Sequence, residues 1–179
     1  MTRQLLILRH GKSDWGVDVE DFQRPLKKRG RRGAKAIGKW LRGQNLVPDH
    51  VCSSPATRAI DTAQRACKAL GFDPAAIQQV ERIYDARMED LIQVLTGCDP
   101  SVRRVMMVGH NPGFEDLLLY LTGSDIPIPE DGKYLPTATV AVLDMPDDWT
   151  TLAPGSAHVR ALMRAKELMS PDESGDDDA

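Results

Sequence analysis

Hydrophobic and polar positions along this chain fall into two alternating patterns. Short unbroken apolar runs stand at residues 5–8 (Leu-Leu-Ile-Leu) and 105–108 (Val-Met-Met-Val). Runs this short, with no polar alternation, fit strands buried on both faces of a sheet. Across residues 26–41 the apolar positions are instead Ala34, Ile37, Trp40 and Leu41, the stripe of one helix face, with Gly43 and Asn45 able to end it. Residues 50–53 are a short strand candidate. Ser54-Pro55 reads as the N-cap and first residue of a helix that reaches Leu70 and closes at Gly71. Further on, residues 77–84 look extended and residues 88–95 helical. Pro112 and Gly113 open a helix over 114–121, and residues 137–143 are a last clear strand. The stretch 157–168 fits two states: its composition suits a helix, while His158-Val159-Arg160-Ala161-Leu162 also suits an edge strand.

Strands alternating with helices predict an α/β fold, a three-layer α/β/α sandwich around a mostly parallel sheet. A chain of 179 residues is enough for one such domain with a sizeable core, over residues 1–170. Residues 171–179 hold five acids and no base and read as a solvated, disordered tail. Net charge is −3, but without that tail 23 basic residues face 21 acidic ones, so the body is slightly basic. Part of the excess is a cluster of Arg24, Lys27, Lys28, Arg29, Arg31 and Arg32. Two readings of it stand: a solvated helix face, or a field that steers an anionic substrate or acidic partner. No aromatic residues interleave with the charge, so nucleic-acid binding is not expected.

Cys52, Cys67 and Cys98 are odd in number and lack paired metal-ligand spacing, which points to reduced thiols. The N-terminal apolar run is too short for a signal peptide, and no stretch has the length of a membrane span. The expectation is a cytoplasmic protein.

The chemistry concentrates where strands end. The first strand delivers Arg9, His10 and Gly11. The second leads into Ser53-Ser54-Pro55-Ala56-Thr57-Arg58-Ala59, and the third into Gly109-His110-Asn111-Pro112-Gly113. If the three strands are parallel, all three junctions open on one edge of the sheet, where α/β folds bind ligands. Two guanidinium forks, two imidazoles and the amides of two helix starts would then converge on an anion, and a phosphoryl dianion fits them best. Histidine can attack phosphorus as a neutral nucleophile. Taken singly, Arg58 reads as a surface arginine and His110 as a capping residue; the shared setting of the three junctions argues against that. His50 and His158 lack such a setting and read as structural or exposed.

The chain resembles the histidine phosphatase superfamily, the group of phosphoglycerate mutases and acid phosphatases, and most of all its short SixA-type phosphohistidine phosphatase branch. The matching stretches are Leu8-Arg9-His10-Gly11-Lys12-Ser13, Arg24-Pro25-Leu26 with Arg29-Gly30, Ser53 to Ala59 with Thr62-Ala63, Val108-Gly109-His110-Asn111-Pro112-Gly113, and Pro136-Thr137-Ala138. The resemblance implies a phosphoglycerate mutase-like fold and a metal-independent phosphatase that needs no cofactor. It implies that His10 attacks phosphorus and carries a transient phosphohistidine, and that Arg9, Arg58 and His110 bind the phosphoryl oxygens.

Relatives place an asparagine shortly after the first motif. Here Ser13-Asp14-Trp15-Gly16 stands there, and Gly11, Ser13 and Asn111 are the remaining candidate phosphate ligands. Relatives also use a carboxylic acid to protonate the leaving group. Asp85 is the candidate for that role, while Glu89 and Asp90 read as solvent-facing helix acids. The expected substrate is a phosphorylated protein, with phosphohistidine as the bond cleaved. A small phosphoester phosphatase and a non-catalytic phosphate- or phosphoprotein-binding module are the alternatives. No membrane partner is expected.

Overall fold

In the computed structural model, which describes residues 2–174, strands and helices alternate in the predicted sense. The strands are β1 (Arg3–Arg9), β2 (His50–Ser53), β3 (Gln78–Gln79), β4 (Arg104–Gly109), β5 (Thr139–Met145) and β6 (His158–Arg164). The helices are α1 (Lys28–Gly43), α2 (Thr57–Leu70), α3 (Met88–Thr96), α4 (Gly113–Thr122), and the single turns α5 (Ala165–Leu168) and α6 (Pro171–Ser174). The six strands form one sheet in the order β3-β2-β4-β1-β5-β6. β1, β2, β3 and β4 pair in parallel, whereas β5 and β6 are added antiparallel.

The unbroken apolar runs are explained by burial on both sides. Leu5 and Ile7 of β1, with Val105 and Met107 of β4, pack on the face covered by α3 and α4. Leu6, Leu8, Met106 and Val108 pack on the opposite face, under Ile37 and Leu41 of α1 and the Ala63, Cys67 and Leu70 side of α2. All eight strand side chains are fully buried. Truncating any of the leucines to alanine should cost about 2–5 kcal/mol, because a rigid sheet collapses poorly around the hole. No helix among the described residues is long and apolar enough to cross a membrane.

Four local expectations change. The segment 77–84 is extended only at Gln78–Gln79 and then tightens into a 3-10 turn at Glu81–Ile83. The stretch 157–168 resolves into both of its readings, edge strand β6 followed by the turn α5. The helix expected from Ser54-Pro55 starts at Thr57, because the Ser54 hydroxyl forms a tight turn by accepting from Ala56 N–H at 3.2 Å. Pro171–Ser174 forms a helical turn, where the sequence suggests the start of a disordered tail; residues 175–179 lie outside the described residues.

The N-terminus of α1 is drawn hard against the loop that follows β1. A Cβ on Gly11 would lie 2.6 Å from the Gly30 carbonyl oxygen, and one on Gly30 would lie 2.2 Å from that of Lys12. Only glycine permits this approach, and it fixes the backbone immediately behind His10.

Candidate active site

The ends of β1, β2 and β4 do meet on one edge. Arg9 pairs with Gly109 and Ser53 with Val108, and the next residues continue the ladder: His10 N–H donates to Gly109 O at 3.0 Å, Ser54 N–H to Val108 O at 2.9 Å. The His10 carbonyl accepts from Ala138 N–H at 2.9 Å, so both main-chain groups of His10 are held. Ala138 adopts the left-handed conformation (φ 51°) to reach it, which costs on the order of 1 kcal/mol and marks the position as constrained.

His10 is buried, and its Nδ1 stands 2.7 Å from the Gly11 carbonyl oxygen. A carbonyl can only accept, so Nδ1 carries the proton and Nε2 keeps its lone pair. Burial lowers the imidazole to about 3, helped by the nearby His110, Arg58 and Arg9 and opposed by the Gly11 hydrogen bond. The ring is therefore neutral at physiological pH. Its centroid lies 5.2 Å from that of His110.

His110 Nε2 is 2.7 Å from the Ser54 hydroxyl, which also accepts from Ala56 N–H. Burial, with Arg58, Arg9 and Arg24 nearby, lowers His110 to about 4 against the pull of Asp21. Three buried nitrogens in this cluster have no protein partner: His110 Nδ1, Arg9 Nε and Arg58 Nε. The two arginine nitrogens are donors, and buried donors without acceptors are costly in a finished structure and normal where an anionic ligand completes them.

Each arginine is anchored by its other nitrogens. Arg9 donates from Nη1 to the Leu135 carbonyl at 3.0 Å. Arg58 donates to the main-chain oxygen of Asp21 at 2.6 Å and to its carboxylate at 3.1 Å. The loop after β1 is tied to α2 by a relay: Gly11 N–H donates to Thr62 Oγ1 at 3.0 Å, and that hydroxyl donates to the Arg58 carbonyl at 2.7 Å.

The secondary candidates stand around the cluster with protein partners of their own or at its margin. The Gly11 amide, a candidate phosphate donor, is engaged by Thr62. Ser13 is buried and accepts from Arg24 Nε at 3.0 Å. Both amide hydrogens of Asn111 are engaged too, by Glu115 Oε2 at 2.5 Å and Leu135 O at 2.9 Å, which leaves only an acceptor oxygen that a phosphate cannot use. Asp85 is exposed on a left-handed turn (φ 53°) and forms none of the hydrogen bonds that tie the cluster together.

Asp21 is the residue that sequence reasoning misses. Its carboxylate accepts from Tyr84 OH at 2.7 Å, from Arg24 at 2.6 Å and from Arg58. Those bonds, Tyr84's first among them, hold it well below the usual carboxylate range. Tyr84 in turn packs edge-on to His110, with centroids 5.6 Å apart. The i,i+3 spacing of Asp21 and Arg24 is the only signal that could have found it, and such pairs are common on surfaces. Among the described residues, no group of three or more His, Cys, Asp or Glu side chains is placed to hold a metal ion.

Residues 5–93 match the model of the histidine phosphatase superfamily (branch 1). An uncharacterized protein of Mycobacterium tuberculosis is 33% identical over 154 residues, spanning 84% of this chain and 94% of that relative. The SixA protein of Agrobacterium tumefaciens superposes with a TM-score of 0.74 at 27% identity, covering 91% of this chain and 98% of its own. The protein histidine phosphatase SixA in complex with tungstate shares the fold, with a TM-score of 0.78 at 20% identity over 93% of this chain and 99% of its own. With its sheet order, its strand-end cluster and these likenesses, the chain belongs to the histidine phosphatase superfamily, as a phosphatase of the SixA type.

Proposed function

We propose that the protein is a metal-independent phosphatase that works through a phosphohistidine on His10 and hydrolyses phosphohistidine on a protein. The observation that carries this reading is the tautomer of His10. With Nδ1–H committed to the Gly11 carbonyl, the Nε2 lone pair is available among two guanidinium groups. In the first step that lone pair forms a bond to phosphorus. The bond from phosphorus to the leaving nitrogen breaks, and its electron pair goes to a substrate imidazole that has taken up a proton. The phosphorylated His10 ring then carries positive charge, which the Gly11 carbonyl stabilises through Nδ1–H. In the second step water attacks phosphorus, the bond to Nε2 breaks, and inorganic phosphate leaves with the water's proton passed to solvent. Arg9, Arg58 and His110 stabilise the phosphoryl oxygens throughout, which is most of what phosphoryl transfer asks of a protein.

The leaving group follows from the acids on hand. Asp21 is held as a carboxylate by Tyr84, Arg24 and Arg58 and cannot serve as an acid near neutral pH. Asp85 stands outside the hydrogen-bonded cluster. An alcohol leaving group needs a proton at the moment of departure, whereas an imidazole leaves readily once protonated in solution. The cluster therefore suits a phosphoramidate better than a phosphoester. SixA of the same fold is known as a tungstate complex, and tungstate is a tetrahedral oxyanion like phosphate.

The test has two arms. Turnover of an aryl phosphate should fall by about 10⁴-fold or more in His10→Ala and should survive a chelator; residual turnover in that variant at wild-type levels rejects the mechanism. A phosphohistidine protein should be hydrolysed with higher kcat/KM than phosphoserine peptides or sugar phosphates, and the reverse preference rejects the substrate assignment.

A further inference from the structure

Basic residues recur along α1 at Lys28, Arg31 and Arg32, Lys35 and Lys39, a spacing of three and four that gathers them on one side of the helix. The opposite side carries the buried Ala34, Ile37 and Leu41. α2 packs alongside and adds Arg65 and Lys68. Together these side chains line an open groove of about 570 Å³ that contains no acidic residue. Arg65 is paired with Asp61 on its own helix, and Arg31 donates to the Leu26 carbonyl. Lys28, Lys35, Lys39 and Lys68 form none of the ion pairs among the described residues. An ordinary solvated helix face mixes both signs of charge; one sign concentrated between two helices focuses a positive potential instead.

The groove is also placed with respect to the site. α1 and α2 both begin at the edge of the sheet where His10 and Arg58 stand, and Gly30 near the start of α1 touches the Lys12 backbone. From Lys28 the basic row runs eleven residues to Lys39, about 16 Å away from that edge. A small phosphorylated molecule held at His10 cannot span that length. An extended or helical polypeptide can.

A carboxylate already sits on this face. Glu173 lines the adjoining groove with Arg32, Lys35 and Lys39. Its carboxyl is lowered chiefly by hydrogen bonds from Ser170 and further by Arg32 and Lys39.

We propose that the groove between α1 and α2 docks an acidic polypeptide segment of the phosphorylated substrate protein, laid along the lysines while its phosphoryl group reaches His10. The proposal rests on the protein-phosphohistidine reading above.

Two synthetic phosphohistidine peptides, identical except for a flank of about six glutamates or six glutamines, test it against wild type and the Lys35→Glu/Lys39→Glu variant. The glutamate flank should raise kcat/KM about tenfold at low ionic strength, and the double variant should erase that advantage while leaving aryl phosphate turnover unchanged. Equal kcat/KM for the two peptides in wild type, or an advantage that survives in the variant, overturns the docking site. Fluorescence anisotropy with the unphosphorylated glutamate peptide separates the two readings. If neither phosphopeptide is hydrolysed but wild type binds this peptide at least tenfold more tightly than the variant, docking stands and the phosphohistidine reading falls. Tighter binding of phosphatidylserine vesicles or duplex DNA than of the glutamate peptide, lost in the same variant, overturns the proposal in favour of a lipid or nucleic-acid surface.

Discussion

Arg9 and Arg58 belong to one cationic cluster, yet Arg9 is held by a neutral carbonyl and Arg58 by a carboxylate. On the Arg9 flank the nearest acid, Glu115, is tied off: one oxygen accepts from Asn111 and the other from Tyr134 N–H. Glu115 still supports the Arg9 charge electrostatically, but it forms no ion pair with it. On the Arg58 flank Asp21 touches the guanidinium directly, from a loop whose neighbours Trp15 and Phe22 are exposed. Arg24, which shares Asp21, stacks its guanidinium 3.6 Å above the Trp15 ring. One flank therefore presents a whole charge fixed by the core of the sheet. The other presents a charge moderated by a surface loop, and that loop is where affinity can be tuned without disturbing the strands.

The largest test asks whether the flanks contribute alike. Arg9→Ala and Arg58→Ala should each lower kcat/KM for an aryl phosphate by about 10²–10³-fold, the usual cost of removing one charged donor from a preorganised oxyanion site. Steady-state kinetics on the two variants decides it, and a loss below about tenfold for either removes that arginine from the cluster.

Acid sensitivity comes next. A histidine whose folded pKa lies below its unfolded value near 6.5 binds fewer protons in the native state across the interval between them. Its contribution to stability is thus complete above 6.5 and declines as pH falls, toward about 4 for His110 and about 3 for His10. Urea midpoints should drop between pH 6.5 and 4, by an amount on the order of 5 kcal/mol in stability for the two histidines together. His110→Gln should flatten that decline, because glutamine cannot take up the proton; an unchanged slope would place His110 in a solvated setting.

The smallest effects should have opposite signs, and they probe the contrast most sharply. Asp21→Asn removes the charge beside Arg58 while its main-chain oxygen still holds Nη1, so inhibition by inorganic phosphate should tighten about fivefold. Asn111→Ala releases Glu115 toward Arg9, so phosphate should bind about fivefold more weakly. Shifts in the same direction would show that the two flanks are equivalent.

How much of this was legible in the chain differs between scaffold and site. The buried strands at 5–8 and 105–108 were legible because an unbroken apolar run has few other uses. The meeting of His10, Arg9, Arg58 and His110 was legible because each stands at the C-terminal end of a strand or within a few residues of one. Asp21 and Tyr84 were not, since both lie in irregular segments where no period applies and where an acid or a tyrosine is ordinary. The partners of Asn111 and Gly11 were not legible for another reason. Sequence shows which donors a residue owns but not which acceptors reach them first, and Glu115, Leu135 and Thr62 reach these. β6 was ambiguous because its side chains are only partly buried at the sheet edge, so packing leaves a weak period.

The Gly11 carbonyl sets the proton of His10, and it belongs to the main chain. A scan that replaces side chains one at a time will therefore find no partner for the proposed nucleophile, however complete it is. Its influence will surface only indirectly, at positions that fix the path of residues 10–12: Gly30, whose missing side chain lets the loop sit where it does, and Thr62, which pins the Gly11 amide. Such positions would be scored as stability determinants remote from the chemistry. Here they are the means by which the chain keeps one tautomer, and drift at the surface cannot erase an instruction written in backbone.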